Sequence, residues 1–260
     1  MEPVYSSVVA AARGVFALQG LKFTMTGTEN VPGRGGAVMV INHTGYLDFT
    51  YAGLAAAPSK RLVRFMAKDS VFTHRISGPL MRGMRHIPVD RSAGATSYAH
   101  AVRDLRAGQI VGVFPEATIS RSFELKQFKN GAARMAKEAG VPMVPTVIWG
   151  SQRVWTKGHP RHLGRTNVPI HISIGEPIHI APGESVDEAT TRIHDVMEAM
   201  LQTLQDGYEA LTGPDLTYLP ARLGGTAPTL EEATRVEDEE RREMIRKASA
   251  QRRAARPPSA

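Results

Sequence analysis

No cysteine occurs among the 260 residues. A disulfide scaffold, a thiolate-held zinc and a thiol nucleophile are thereby excluded. No stretch approaches the 18 or more uninterrupted apolar residues that a membrane-spanning helix needs. The opening MEPVYSS has no basic region of a secretory leader. A spanning or secreted protein is therefore not expected, and the chain reads as cytosolic or cytosol-facing. Aromatic residues make up only 6%, which argues against a base-stacking platform for single-stranded nucleic acid. Also missing are G-x-G-x-x-G after a strand, G-x-x-x-x-G-K-[ST], G-x-S-x-G and H-E-x-x-H. Nucleotide cofactors, a serine-hydrolase elbow and a zinc-protease helix thus have no motif to stand on. His159 and His162 lie three apart without a third ligand in view, so they read as a surface loop and no metal is expected.

Against these absences stand 42% hydrophobic and 22% charged residues, the balance of a globular chain. Lys plus Arg exceed Asp plus Glu by 32 − 25, a net charge of +7. That favours an anionic partner: a phosphorylated substrate, an anionic membrane surface or nucleic acid. The stretch 231–260 holds eight basic and seven acidic residues, so +6 of the charge belongs to residues 1–230.

The hydrophobic pattern alternates between two periods. Residues 3–19 carry one charge, Arg13, and place Val4, Val8, Ala11, Ala12, Val15 and Phe16 at helical spacing. This helix either packs on the core or lies in a membrane surface. Strands are expected over 21–27, 36–41, 62–68, 109–114, 141–150 and 169–175, and helices over 95–107 and 131–139. Ser185 and Glu188 form an S-x-x-E capping box, opening a helix with Ile193, Val196, Met197, Met200, Leu201 and Leu204 on one face. Alternating strands and helices imply a single α/β domain with a mostly parallel sheet. The expected boundaries are an interfacial helix over 1–20, the main domain over 21–210, and a Gly/Pro-rich segment with a charged, partly disordered tail over 211–260.

Four motifs carry candidate chemistry. In INHTGYLD a buried strand delivers Asn42 and His43 to its carboxyl end, where open α/β sheets bind ligands, and Asp48 follows five residues later. With His43 in the loop and Asp48 in the first helical turn, the carboxylate can orient the imidazole as a base. The competing reading is a solvent loop with an incidental histidine. VFPEATISRS again ends a strand in a polar loop, with Glu116, Thr118 and Arg121 able to meet a phosphate. MRGMRHIPVDR gathers Arg82, Arg85, His86 and Arg91 around a short strand. It reads either as an anion site or as a solvated basic face. VPMVPTVIWG is a core strand bracketed by prolines.

Taken in order, N-H-x4-D, G…R, F-P-E-x-T and V-P-x-V-P resemble the motif set of the glycerolipid acyltransferase family over roughly residues 20–180. The resemblance implies a mixed, mostly parallel sheet wrapped by helices, and N-terminal helices that dock on the membrane. It implies His43 as the general base and Asp48 as the carboxylate that orients it. It implies that Asn42 shapes the turn, that Arg91 binds the acceptor's phosphate, and that Glu116 with Thr118 binds the acceptor; Lys68 and Arg121 join Asn42, Arg91, Glu116 and Thr118 as substrate-binding candidates. The implied reaction moves an acyl chain from acyl-coenzyme A or acyl carrier protein to 1-acyl-sn-glycerol 3-phosphate, giving phosphatidic acid, with no cofactor. The implied place is peripheral, on the cytoplasmic face of the cell membrane. Two departures stand out: Ala117 replaces the family's Gly in F-P-E-G-T-R-S, and Arg121 lies three residues after Thr118 rather than next to it. Another lysophospholipid or a glycolipid remains an alternative acceptor. From a different class, the alternative is a non-catalytic basic module that binds anionic lipid or nucleic acid.

Overall fold

The computed structural model describes residues 2–90 and 94–254. In chain order the helices are α1 (Pro3–Gln19), α2 (Asp48–Ala55), α3 (Asp69–Thr73), α4 (Ser77–Gly83), α5 (Gly94–Arg106), α6 (Gly131–Ala139), α7 (Val186–Asp206) and α8 (Leu230–Ala254). The strands are β1 (Lys22–Thr26), β2 (Ala37–Ile41), β3 (Val63–Lys68), β4 (Ile87–Val89), β5 (Ile110–Val113), β6 (Met143–Trp149) and β7 (Pro169–Ile174).

The strands form one seven-stranded sheet in the order β1-β7-β6-β2-β5-β3-β4. Every pairing is parallel except β6 with β7. The centre is continuous apolar sequence: AVMVI in β2 and MVPTVIW in β6 are buried at every residue. Strands covered on both faces need that composition. Toward the edge, β7 alternates half-buried and buried residues, so it has only one face in the core. The expected α/β class is thus present, with a mixed, mostly parallel sheet flanked by helices.

α1 turns its bulkiest side chains inward. Phe16 meets Phe23 and Tyr51 at ring-centroid distances of 5.5 and 5.2 Å, and the Tyr5 hydroxyl donates to the Val63 carbonyl at 3.0 Å. Gly20, at φ 70°, ends the helix in the left-handed conformation that glycine adopts without strain. The Ser185–Glu188 box forms as expected, with reciprocal bonds of 3.1 and 2.8 Å at the start of α7.

The chain divides into two compact units, Met1–Ile119 with Leu125–Ala210, and Ser120–Glu124 with Leu211–Ala260. α1 therefore belongs to the sheet's unit, and five residues of the loop after β5 group with the C-terminal segment. Within that second unit Arg121 pairs with Glu240, and Arg222 with Glu124 at 2.9 Å. The segment expected as a charged tail carries the 25-residue helix α8.

Candidate active site

Because β2, β3, β4, β5 and β6 run in one direction, their carboxyl ends share one edge of the sheet. His43 and Asp48 follow β2, Glu116 and Thr118 follow β5, and Lys68 is the last residue of β3. Two of the sequence motifs and the end of β3, far apart in the chain, thus meet at the same edge, the place where parallel α/β sheets bind ligands.

His43 Nδ1 lies 3.0 Å from Asp48 Oδ2. Asp48 is fully buried and opens α2, so the positive end of the helix dipole faces its carboxylate. Oδ2 also accepts the main-chain N–H groups of Thr44 and Gly45, each at 2.8 Å. A carboxylate only accepts, so the contact places a ring proton on Nδ1 and turns Nε2 away from Asp48. The imidazole stacks on Phe114, with centroids 4.2 Å apart and planes at 28°, and its side chain is 21% exposed. The five-residue offset works because the loop wraps the carboxylate before the helix begins.

The loop after β6 braces this one from behind. Thr44 Oγ1 lies 3.0 Å from Ser151 Oγ, Thr156 donates to the Thr44 carbonyl at 2.7 Å, and Tyr46 N–H donates to Trp155 O at 2.9 Å. A Cβ on Gly45 would fall 2.9 Å from Ser151 Oγ, so the approach requires glycine. Asn42 is fully buried. Its amide donates to Ile148 O at 3.0 Å and accepts from Ile148 N–H at 2.7 Å, completing the β2–β6 ladder with a side chain.

Glu116 joins the two principal loops. Its Oε1 accepts the His43 N–H at 2.8 Å and its Oε2 the Lys126 N–H at 3.2 Å. Burial pushes its pKa up to about 8, against the two N–H bonds and the Lys126 ammonium, which favour the charged form. Ala117, next in sequence, sits at φ 65°. The loop thus keeps a glycine-type conformation with an alanine in place.

The substrate-binding candidates are placed as follows. Asn42 and Glu116 are buried and bonded to main chain, while Thr118 is half-buried and accepts from the Lys126 ammonium. Lys68 is exposed at the start of α3, Arg121 is paired with Glu240 in the second unit, and Arg91 lies outside the described residues. Lys126, Ser151, Thr156 and Phe114 were not singled out from sequence. Phe114 sits inside a motif whose polar members drew the attention. Lys126, ten residues after Glu116, has no spacing signal.

The parallel sheet and a histidine–aspartate pair at its carboxyl edge are features of an α/β enzyme. An acyltransferase family model matches residues 22–149. The 1-acyl-sn-glycerol-3-phosphate acyltransferase of Bacillus subtilis is 29% identical over 157 residues, covering 59% of this chain and 72% of that protein. The enzyme of the same name from Borreliella burgdorferi is 26% identical over 194 residues, covering 72% and 75%. The crystal structure of the 1-acyl-sn-glycerophosphate acyltransferase PlsC from Thermotoga maritima superposes with a TM-score of 0.62 at 20% identity, over 76% of this chain and 81% of that one. The chain belongs to the glycerolipid acyltransferase family and is an acyltransferase.

Proposed function

We propose that the enzyme transfers a fatty acyl chain from a thioester donor, acyl-coenzyme A or acyl carrier protein, to the free hydroxyl of 1-acyl-sn-glycerol 3-phosphate, giving phosphatidic acid. The observation that carries this reading is the 3.0 Å contact between His43 Nδ1 and Asp48 Oδ2, which leaves Nε2 as a base at the sheet edge. An alcohol attacks a thioester poorly until a base takes its proton. Nε2 removes that proton as the oxygen bonds to the carbonyl carbon. The tetrahedral oxyanion then collapses, the C–S bond breaks, and the imidazolium returns the proton to the departing thiolate. Asp48 stays ionised, holds the ring and stabilises the imidazolium. The scheme needs no metal or redox cofactor.

The names of the relatives support lysophosphatidate as acceptor. A peripheral position on the cytoplasmic face of the membrane is supported by exposed apolar side chains on α1, Val15 and Leu18. It is further supported by Val71, Ile76 and Leu80 around α3 and α4, which stand among Lys68, Arg75, Arg82 and Arg85. No helix among the described residues is long and apolar enough to cross a membrane. The pairing of Arg121 with Glu240 favours a second reading, another lysophospholipid as acceptor, because it occupies an arginine of the third motif.

The test is coenzyme A release from palmitoyl-coenzyme A and lysophosphatidate, beside His43→Ala. Wild-type turnover that falls by about 10²- to 10⁴-fold in the variant supports the scheme. A folded wild type that turns over neither lysophosphatidate nor other lysophospholipids, with either donor, defeats it.

A further inference from the structure

The helix α8 changes sign along its length. Residues 230–240 hold six acidic residues and one arginine, a net charge of −5, whereas residues 241–247 hold four basic residues and one glutamate, a net charge of +3. Complementing the helix dipole accounts for charge in the first and last turns only. Arg241 and Arg242 stand in the middle of Leu230–Ala254, beyond that reach. The dipole also says nothing of the apolar residues. The acidic half buries Ala233 at 1% exposure, but Met244 and Ile245 in the basic half are 61% and 60% exposed. At 3.6 residues per turn, Arg242 and Lys247 fall about 110° to either side of that pair. Arg242 is exposed and has no ion-pair partner among the described residues. Lys247 meets only the exposed Glu243, at 2.7 Å, a pairing worth little in water. An uncovered apolar pair rimmed by long cations is the pattern of a helix that lies in an anionic lipid surface, its cationic heads reaching up to the lipid phosphates. A second copy of α8 laid antiparallel could match the charges, but not the apolar seam. Val236, the next exposed apolar residue, lies about 130° around the helix, and a helix pair needs apolar residues that recur on one stripe.

We propose that residues 241–247 of α8 are a docking surface for an anionic bilayer, with Met244 and Ile245 seated among the headgroups and Arg242 and Lys247 on the lipid phosphates. This surface lies outside residues 22–149, which the family model matches, and is separate from α1. The choice of a lipid partner rests on the lipid acceptor proposed above, but its test is read without turnover.

The full-length protein is sedimented with phosphatidylcholine vesicles, with and without phosphatidylglycerol, at low and high salt. The wild type should partition more strongly to the anionic vesicles, and less so as salt rises. Arg242→Gln/Lys247→Gln should weaken that partition about 10- to 30-fold, as two lost surface charges predict, and leave the neutral vesicles within about twofold. Met244→Ser/Ile245→Ser should weaken it about tenfold or more. Tryptophan emission of Ile245→Trp should shift to the blue with anionic vesicles. Every altered side chain is exposed, so melting curves should match the wild type. Val15→Ser/Leu18→Ser, read alongside, measures the share of α1 separately. Variants of α8 that partition as the wild type does, an unshifted Ile245→Trp emission, or a wild type without preference for anionic vesicles would overturn the proposal. So would a lipid-free dimer that Met244→Ser/Ile245→Ser dissociates, which would give the face to a second copy. A wild type that binds anionic vesicles yet leaves lysophosphatidate unacylated strikes the acceptor reading and not this one.

Discussion

Two loops leave neighbouring parallel strands at the same sheet edge and are secured in opposite ways. The loop after β2, residues 42–47, is held by a dense set of hydrogen bonds. Asp48 gathers His43, Thr44 and Gly45 on one oxygen, Asn42 ties back to Ile148, and Ser151 and Thr156 fasten Thr44. None of its non-glycine residues has a positive φ. The loop after β5 contains two such residues, Ala117 at 65° and Phe123 at 59°, and a buried acid whose ionisation is suppressed. Left-handed backbone costs a non-glycine residue about 1–2 kcal/mol. The difference shows where this edge is pre-organised and where it is strained: the His43–Asp48 pair stands on relaxed backbone, and the strain falls on the loop after β5.

The strongest way to break the comparison is Asp48→Asn. It keeps the shape of the first loop but removes the charge that sets the tautomer of His43. Turnover should fall about 10³- to 10⁴-fold with the donor KM held, read by steady-state kinetics. A loss under tenfold would mean that the relaxed loop is not where the chemistry is set. Next is Glu116. Its folded pKa of about 8 lies above its ordinary value of 4.5, so between those values the folded state holds a proton that the unfolded chain has released. Its contribution to stability is complete below about pH 4.5 and declines as pH rises through about 8. The wild-type melting temperature should carry this downward component between pH 5 and 8, and Glu116→Gln should remove it. An identical pH slope in both proteins would show that the joint between the loops is not under this strain. The smallest effect is Ala117→Gly, which should raise stability by about 1 kcal/mol in denaturant titration by relieving the left-handed alanine. Destabilisation would show that the loop tolerates its alanine without cost.

The sheet was legible because its central strands are short apolar runs separated by glycine, proline and charge, and because the Ser185–Glu188 box marks its helix directly. The His43–Asp48 pair was legible because strand end, loop and helix start are all written within eight residues. The reversal of β7 against β6 was not, since period-2 alternation carries no direction. α3 and α4, of five and seven residues, are too short for a helical period to register. The place of Lys126 depends on how Glu116 folds the loop back on itself, a matter of tertiary hydrogen bonds. The left-handed backbone of Ala117 was not legible either, since Glu116 on one side and the Ala117 N–H to Phe114 O bond on the other hold it there.

The Asn42 side chain gives the molecule a built-in reporter. The Ile148 amide sits in a strand buried at every residue, yet the acceptor shielding it is a side-chain oxygen from the loop after β2. In an isotope-exchange experiment most amides of β6 would open only when the whole sheet does. The Ile148 amide would exchange on a second, faster clock, one that ticks whenever the loop bearing His43 lifts from its seat. Movement at the site could thus be timed in the intact enzyme, without a label and without a substrate.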